Sequence, residues 1–273
     1  NVFSYNLKNK CENLMNNGDN LAAIEAAKKL EDPYDKHFCQ GKAYYRENMY
    51  KLANKAFISS EKLANLPADQ MFSILYKGII QRDMGDISAA SGTFTRGLET
   101  AKLGNSKYLQ MERRFLFQLG ENGLENNDYE ESIDFFSKSI IISVNDDERA
   151  EGFNALSMAY YGKKKLDKSI EYAIKASNMY LKIGALNEYA DIQFKIASYQ
   201  LEDKSPERSL KLLLKLEKFA NDNGSKYYES KSLLEQSIVY NILGNAGKSV
   251  AKKKSGSAIA QSIGARELLL TYQ

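Results

Sequence analysis

Apolar residues recur three and four positions apart through "MFSILYKGIIQRDM", residues 71–84, and again through "YLQMERRFLFQLGENGL", residues 108–124. That spacing puts them on one broad face of a helix and predicts amphipathic α-helices that bury a stripe. Each stretch runs into a short polar turn, "MGDIS" in the first case and "ENNDYEES" in the second. There Gly or Asn can take a positive φ, and Asp or Ser can cap the helix that follows. No alternating run of the kind a half-buried strand needs stands out anywhere. The pattern predicts an all-α chain of helical hairpins.

The hairpins repeat. Windows beginning at Gly41, Gly78 and Gly120 share one frame, with a small residue first and a turn residue seven later, at Asn48, Gly85 and Asn127. A second small residue falls twelve later, at Ala53, Ala90 and Ser132, and Phe falls sixteen later, at Phe57, Phe94 and Phe136. Weaker versions start at Ser157, Ala197 and Ser237, and "NNGDNLAAIEAAKKLEDP" supplies another turn at Gly18 near the start. A separate glycine series, Gly104, Gly184, Gly224 and Gly264, marks the links between hairpins, the last three spaced forty apart. A period in this range announces a solenoid. One hairpin cannot bury both of its faces, so successive hairpins must stack on their neighbours.

The frame of small residue, apolar residue, turn, Tyr, Ala and Phe resembles the tetratricopeptide repeat, best at Gly41, Tyr44, Tyr50, Ala53 and Phe57. The resemblance covers nearly the whole chain. It implies a right-handed superhelical solenoid of about seven helix-turn-helix repeats, with units near 1–35, 36–67, 68–105, 106–146, 147–184, 185–224 and 225–263. Residues 264–273 then begin an eighth first helix, so a parent protein continuing beyond Gln273 is expected. Units of about 40 residues exceed the standard 34 and are similar to arrays in bacterial sensor and signalling proteins.

Composition narrows the function. The 273 residues carry a net charge of only +3, dispersed along the chain, which argues against nucleic-acid binding. No apolar run approaches the roughly 20 residues of a membrane span, so the expectation is a soluble chain, cytoplasmic or periplasmic, with no membrane insertion. Cys11 and Cys39 are the only cysteines; their separation matches neither a redox motif nor a zinc site, and they read as small buried apolar groups. His37 is the single histidine, so no catalytic relay can be built elsewhere. "LGNAGKSV" imitates a phosphate loop, but Ile242 stands where the motif requires Gly, and no strand precedes it. No catalytic residue, metal site or cofactor is expected.

What remains is recognition. In tetratricopeptide arrays the first helices line the concave surface, and the resemblance carries its inward positions onto residues such as Phe72, Phe194 and Lys231. Of these positions Tyr45, Arg82, Arg114, Asn154 and Tyr161 combine polar or charged tips with that orientation and are the candidate partner-binding residues. Arg82, Arg114 and Asn154 only partly match the Lys/Asn/Arg cluster with which some relatives hold a terminal carboxylate. The expected partner is a protein or peptide segment. A structural adaptor, or a homodimer formed through the outer face or the ends, is the alternative. Lys253 stands where the frame expects Phe, which points to a loosely packed last helix or an acidic partner.

Overall fold

A computed structural model describes residues 2–272, with side chains from Asn9 onward. Among the described residues the chain is all helical. In order the helices are α1 (Val2–Asn16), α2 (Asn20–Ala27), α3 (Pro33–Arg46), α4 (Tyr50–Leu63), α5 (Pro67–Asp83), α6 (Ile87–Leu103), α7 (Leu109–Glu125) and α8 (Tyr129–Ile141). They are followed by α9 (Asp146–Gly162), α10 (Leu166–Lys182), α11 (Leu186–Glu202), α12 (Pro206–Asp222), α13 (Lys226–Ile242), α14 (Ala246–Ser262) and α15 (Arg266–Thr271). The chain divides into two compact units, residues 1–143 with α1–α8 and residues 144–273 with α9–α15. Inside each unit every helix packs on the next, and odd-numbered helices also touch, α3 with α5 and α5 with α7 in the first unit, α11 with α13 in the second.

The turn seven residues after the small position is the same device throughout. Asn48, Gly85, Asn127, Lys164, Lys204 and Gly244 all take φ between 55° and 85°. Where Asp or Asn comes next, as at Asp86, Asp128 and Asn245, its side chain accepts a hydrogen bond from a free N–H of the following helix. The second glycine series ends helices as expected, at Gly184, Gly224 and Gly264. Gly104 differs: its φ is −85°, and it is needed because the Tyr108 ring lies against its Cα.

The frame's small first residue and its Phe belong to one contact. A Cβ on Gly78 would sit 2.3 Å from the Phe94 ring, and Gly41 meets Phe57 and Gly120 meets Phe136 in the same way. Phe57, Phe94 and Phe136 are wholly buried, as are Ala53 and Ala90, while Tyr50 is half-buried. Phe57 also stacks on Tyr76 of the next first helix, with 5.0 Å between centroids, so one ring joins two hairpins. In the second unit most of the small positions are serines, and Ser169 Oγ donates to the Ser157 carbonyl at 2.9 Å. Among the described residues α14 buries only Gly256 and Ala260, and Lys253 is exposed, although the helix lies closely against α13.

The cysteines are not separate. Cys11 on α1 and Cys39 on α3 are both buried, but their sulfurs are joined across the two helices. A separation of 28 residues hid this, because the intervening hairpin folds back and brings one helix onto the other.

Candidate functional site

The five candidate residues lie on odd-numbered helices, and each one reaches to another odd-numbered helix. In the first unit the Tyr45 hydroxyl donates to Asp83 of α5 at 2.7 Å. Burial, then the bond to Asp83 and its charge, push the Tyr45 phenol up to about 12. Arg82 donates to Asn122 of α7 at 3.4 Å and stacks over Phe94. Asn122 is buried and passes a bond on to Ser91 Oγ. Arg114 is exposed on α7, with its guanidinium 5.9 Å from the Phe72 ring of α5. Lys42 reaches back to Glu12 of α1 at 3.5 Å.

The second unit repeats the arrangement. Asn154 of α9 accepts from the Lys195 ammonium of α11 at 2.8 Å. The Tyr161 ring stacks on Tyr199, centroids 4.7 Å apart, while its hydroxyl donates to Glu202. That bond, followed by burial, raises the Tyr161 phenol to about 12. Lys231 of α13 lies 3.7 Å from Asp191 of α11 and over the Phe194 ring. Partners in these contacts sit about one repeat apart. The structure therefore brings the predicted residues together within each unit as a ladder tying one first helix to the next, and most of their polar tips already have partners.

Sequence reasoning missed the cavity beside this ladder. Helices α11, α13 and α15 line an open hollow of about 430 Å³, with Asp191, Phe194, Lys195, Lys231, Glu235, Glu267 and Tyr272 among the residues that face it. Two of these groups are under electrostatic stress. Burial lowers the Lys195 pKa, opposed only in part by the charge of Asp191, and its hydrogen bond goes to a neutral amide. Burial raises Glu235, against the Tyr272 hydroxyl that donates to it at 2.7 Å and the charge of Lys231. Both residues stand two positions before the small residue of their repeat, where the earlier repeats hold Cys39, Tyr76, Gln118 and Ala155. A charge at a position that is otherwise uncharged was the signal available in the sequence.

Other chemistry is sparse. "LGNAGKSV" is an interhelical turn, with Gly244 at φ 74° and Asn245 capping α14. His37 is half-buried on α3, where burial and then the charge of Lys36 lower its pKa. Among the described residues no three His, Cys, Asp or Glu side chains gather as a metal set would, and no helix is long and apolar enough to cross a membrane.

Solved structures resemble this arrangement. A signal transduction ATPase with numerous domains from Pyrococcus horikoshii, bearing a tetratricopeptide-repeat sensor, superposes with a TM-score of 0.78 at 14% identity. The match covers 99% of this chain and 44% of that protein, so the chain spans less than half its length. This is the fold of the tetratricopeptide-repeat proteins. The C-terminal part of a tetratricopeptide-repeat protein from Cytophaga hutchinsonii matches at a TM-score of 0.64 and 20% identity, over 92% of this chain and 95% of that one. A Rap protein complexed with Competence and Sporulation Factor matches at 0.61 and 8% identity, over 89% and 80%. No family model matches the chain, and no curated protein is similar to it. At these identities the likeness shows the tetratricopeptide fold and leaves function to the site.

Proposed function

We propose that this chain is a non-catalytic recognition module that holds a peptide or protein segment against its first helices. The observation that carries the reading is the cavity between α11, α13 and α15, where a desolvated Lys195 ammonium, Lys231 and the rings of Phe194, Tyr227 and Tyr272 converge. Aromatic surface with a few fixed polar groups is what a binding site for an extended segment requires. Tyr45, Arg82 and Arg114 in the first unit, and Asn154 and Tyr161 in the second, hold the first helices of their own unit in register, and contact a segment only where it displaces the partners they already have. The repeat sensor of the Pyrococcus ATPase and the Rap complex support a sensory or scaffolding part of a larger signalling protein.

The test is selection of phage-displayed peptides on the purified chain, followed by titration of labelled winners. Lys195→Met with Lys231→Met should weaken binding at least tenfold while the helical signal is kept. Binding unchanged by that pair would refute the pocket. The adaptor reading has its own observation, an apolar hollow of about 420 Å³ on the first unit lined by Met49, Leu52 and Met84. Peptides that instead lose affinity on Met49→Asp would establish it.

A further inference from the structure

We propose that Cys11 and Cys39 form a reversible disulfide that fixes the first hairpin to the second, so that the thiol–disulfide balance around the protein governs how firmly α1 and α2 are held. This is independent of the groove reading. The repeat frame itself brings the two residues together. Gly18 is the turn glycine of the first hairpin, with φ 81°, and Ala23 is its second small residue; Cys11 therefore occupies the first small position, seven before the turn. Cys39 stands two before the small position of the next hairpin, Gly41. In the following repeat the equivalent residue, Tyr76, packs on Phe57, the ring that covers Gly41. First position and next-repeat neighbour thus face each other by construction. Their Cα atoms are 6.6 Å apart, within the span a disulfide bridges.

The place suits a staple. α2 has only eight residues, and the first hairpin rests on α3 through a small cluster of Met15, Ala23, Ile24, Ala27, Leu30 and the cysteines. Among the described residues its polar ties to α3 and the residue that caps it include Lys42 to Glu12, Arg46 to the Met15 carbonyl, and Asn20 to Glu47. A covalent bond around the whole of α2 removes openings that this contact alone would allow.

The oxidant is a disulfide, either of low molecular weight, such as oxidised glutathione, or carried by a protein. One cysteine thiolate attacks it, expels one oxidant thiolate and leaves a mixed disulfide. The second cysteine thiolate then attacks the cysteine sulfur and expels the other. Two protons and two electrons leave the cysteines, and one oxidant disulfide becomes two thiols. Because both sulfurs are buried, exchange in either direction proceeds through a form in which α1 has lifted from α3, so the bond follows the surrounding thiol–disulfide balance slowly.

The experiment refolds the intact chain with oxidised and reduced glutathione, then alkylates it in denaturant and weighs it. No alkyl additions are expected before reduction and two after; two additions without reduction would overturn the bond. Amide hydrogen exchange is then compared with and without a dithiol reductant. Exchange in residues 20–27 should rise about tenfold or more on reduction, while residues 206–222 stay unchanged. A Cys11→Ser, Cys39→Ser double variant should ignore the reductant. Equal exchange in the oxidised and reduced wild type would overturn the staple even with the bond present.

Discussion

Gly78→Ala tests the contact on which the repeat depends. Two terms oppose each other. Alanine in place of glycine inside a helix contributes about 1 kcal/mol of stability through propensity. The added Cβ, however, would stand 2.3 Å from Cε1 of Phe94 and 2.7 Å from Cδ1 and Cζ. To reach ordinary contact the ring must retreat by about 1 Å. Phe94 is wholly buried and its cluster is filled by Ile74, Leu98 and Phe115, so there is no space to retreat into. Overpacking of this kind costs roughly 1–3 kcal/mol, and with aromatic carbon as the obstacle the upper half of that range applies. A net loss of about 1–2 kcal/mol follows.

Gly92 provides the control, because it lies in α6, is exposed, and a Cβ there meets nothing within 4 Å. Gly92→Ala should stabilise by about 0.5–1 kcal/mol. Both variants are measured by urea unfolding followed by circular dichroism, with hydrogen exchange of α5 and α6 as a local readout, since a solenoid need not unfold in one step. A third variant removes the obstacle: the cost of Phe94→Leu should shrink in the Gly78→Ala background, giving a coupling of roughly 0.5–3 kcal/mol. If Gly78→Ala and Gly92→Ala both stabilise, the ring does not rest on Gly78 and the account of the frame is refuted.

Lys204 takes φ 55° in the turn before α12, a conformation that costs a non-glycine residue about 1 kcal/mol. Lys204→Gly should therefore raise the urea midpoint, and a lowered midpoint would show the lysine side chain to matter more than its backbone. Ala53→Phe should destabilise by about 1–3 kcal/mol, since Ala53 is fully buried where the two helices of a hairpin meet, and a melting temperature within a degree of wild type would count against that placement. Burial alone would raise the pKa of Glu61, but hydrogen bonds from Arg96 and Lys77 and their charges outweigh it and hold it below the ordinary carboxylate value. Its contribution is present above the unfolded carboxylate pKa of about 4.3 and lost as pH falls through the folded value, so Glu61→Gln should flatten the decline between pH 5 and 3. A decline as steep as that of wild type would show that the triad does not act on stability.

The parts of this protein that were legible in the sequence are those that chemistry repeats. Turn residues at Asn48, Gly85 and Asn127, caps at Asp86 and Asp128, and the Gly–Phe pairs each follow from local sterics, so a frame drawn on three windows extended to the others. Contacts between repeats were harder to see. Tyr45, Arg82, Arg114, Asn154 and Tyr161 were picked for their orientation, but their partners lie about one repeat away and depend on how hairpins stack. Cys11 and Cys39 stayed apart for the same reason. Placing Cys11 in the frame required counting back from Gly18, and the first hairpin had only its turn and second small residue to count from.

That distinction is also the reason the proposed site is the hollow of the second unit rather than the residues first singled out. A polar side chain on an inward position can be spent on the ladder, as the Tyr45 hydroxyl is on Asp83 and the Tyr161 hydroxyl on Glu202. Such a bond costs nothing to keep, and a ligand must break it to compete. Lys195 and Glu235 are different, because burial drives both against their charged forms, the charges of Asp191 and Lys231 offset this only in part, and their hydrogen-bond partners, an amide and a phenol, are neutral. An incoming polar segment that solvates either group recovers part of that desolvation instead of displacing a satisfied partner. Affinity is therefore expected to be carried by the pair two positions before the repeat's small residue, with the ladder residues setting the distance between the helices that hold them.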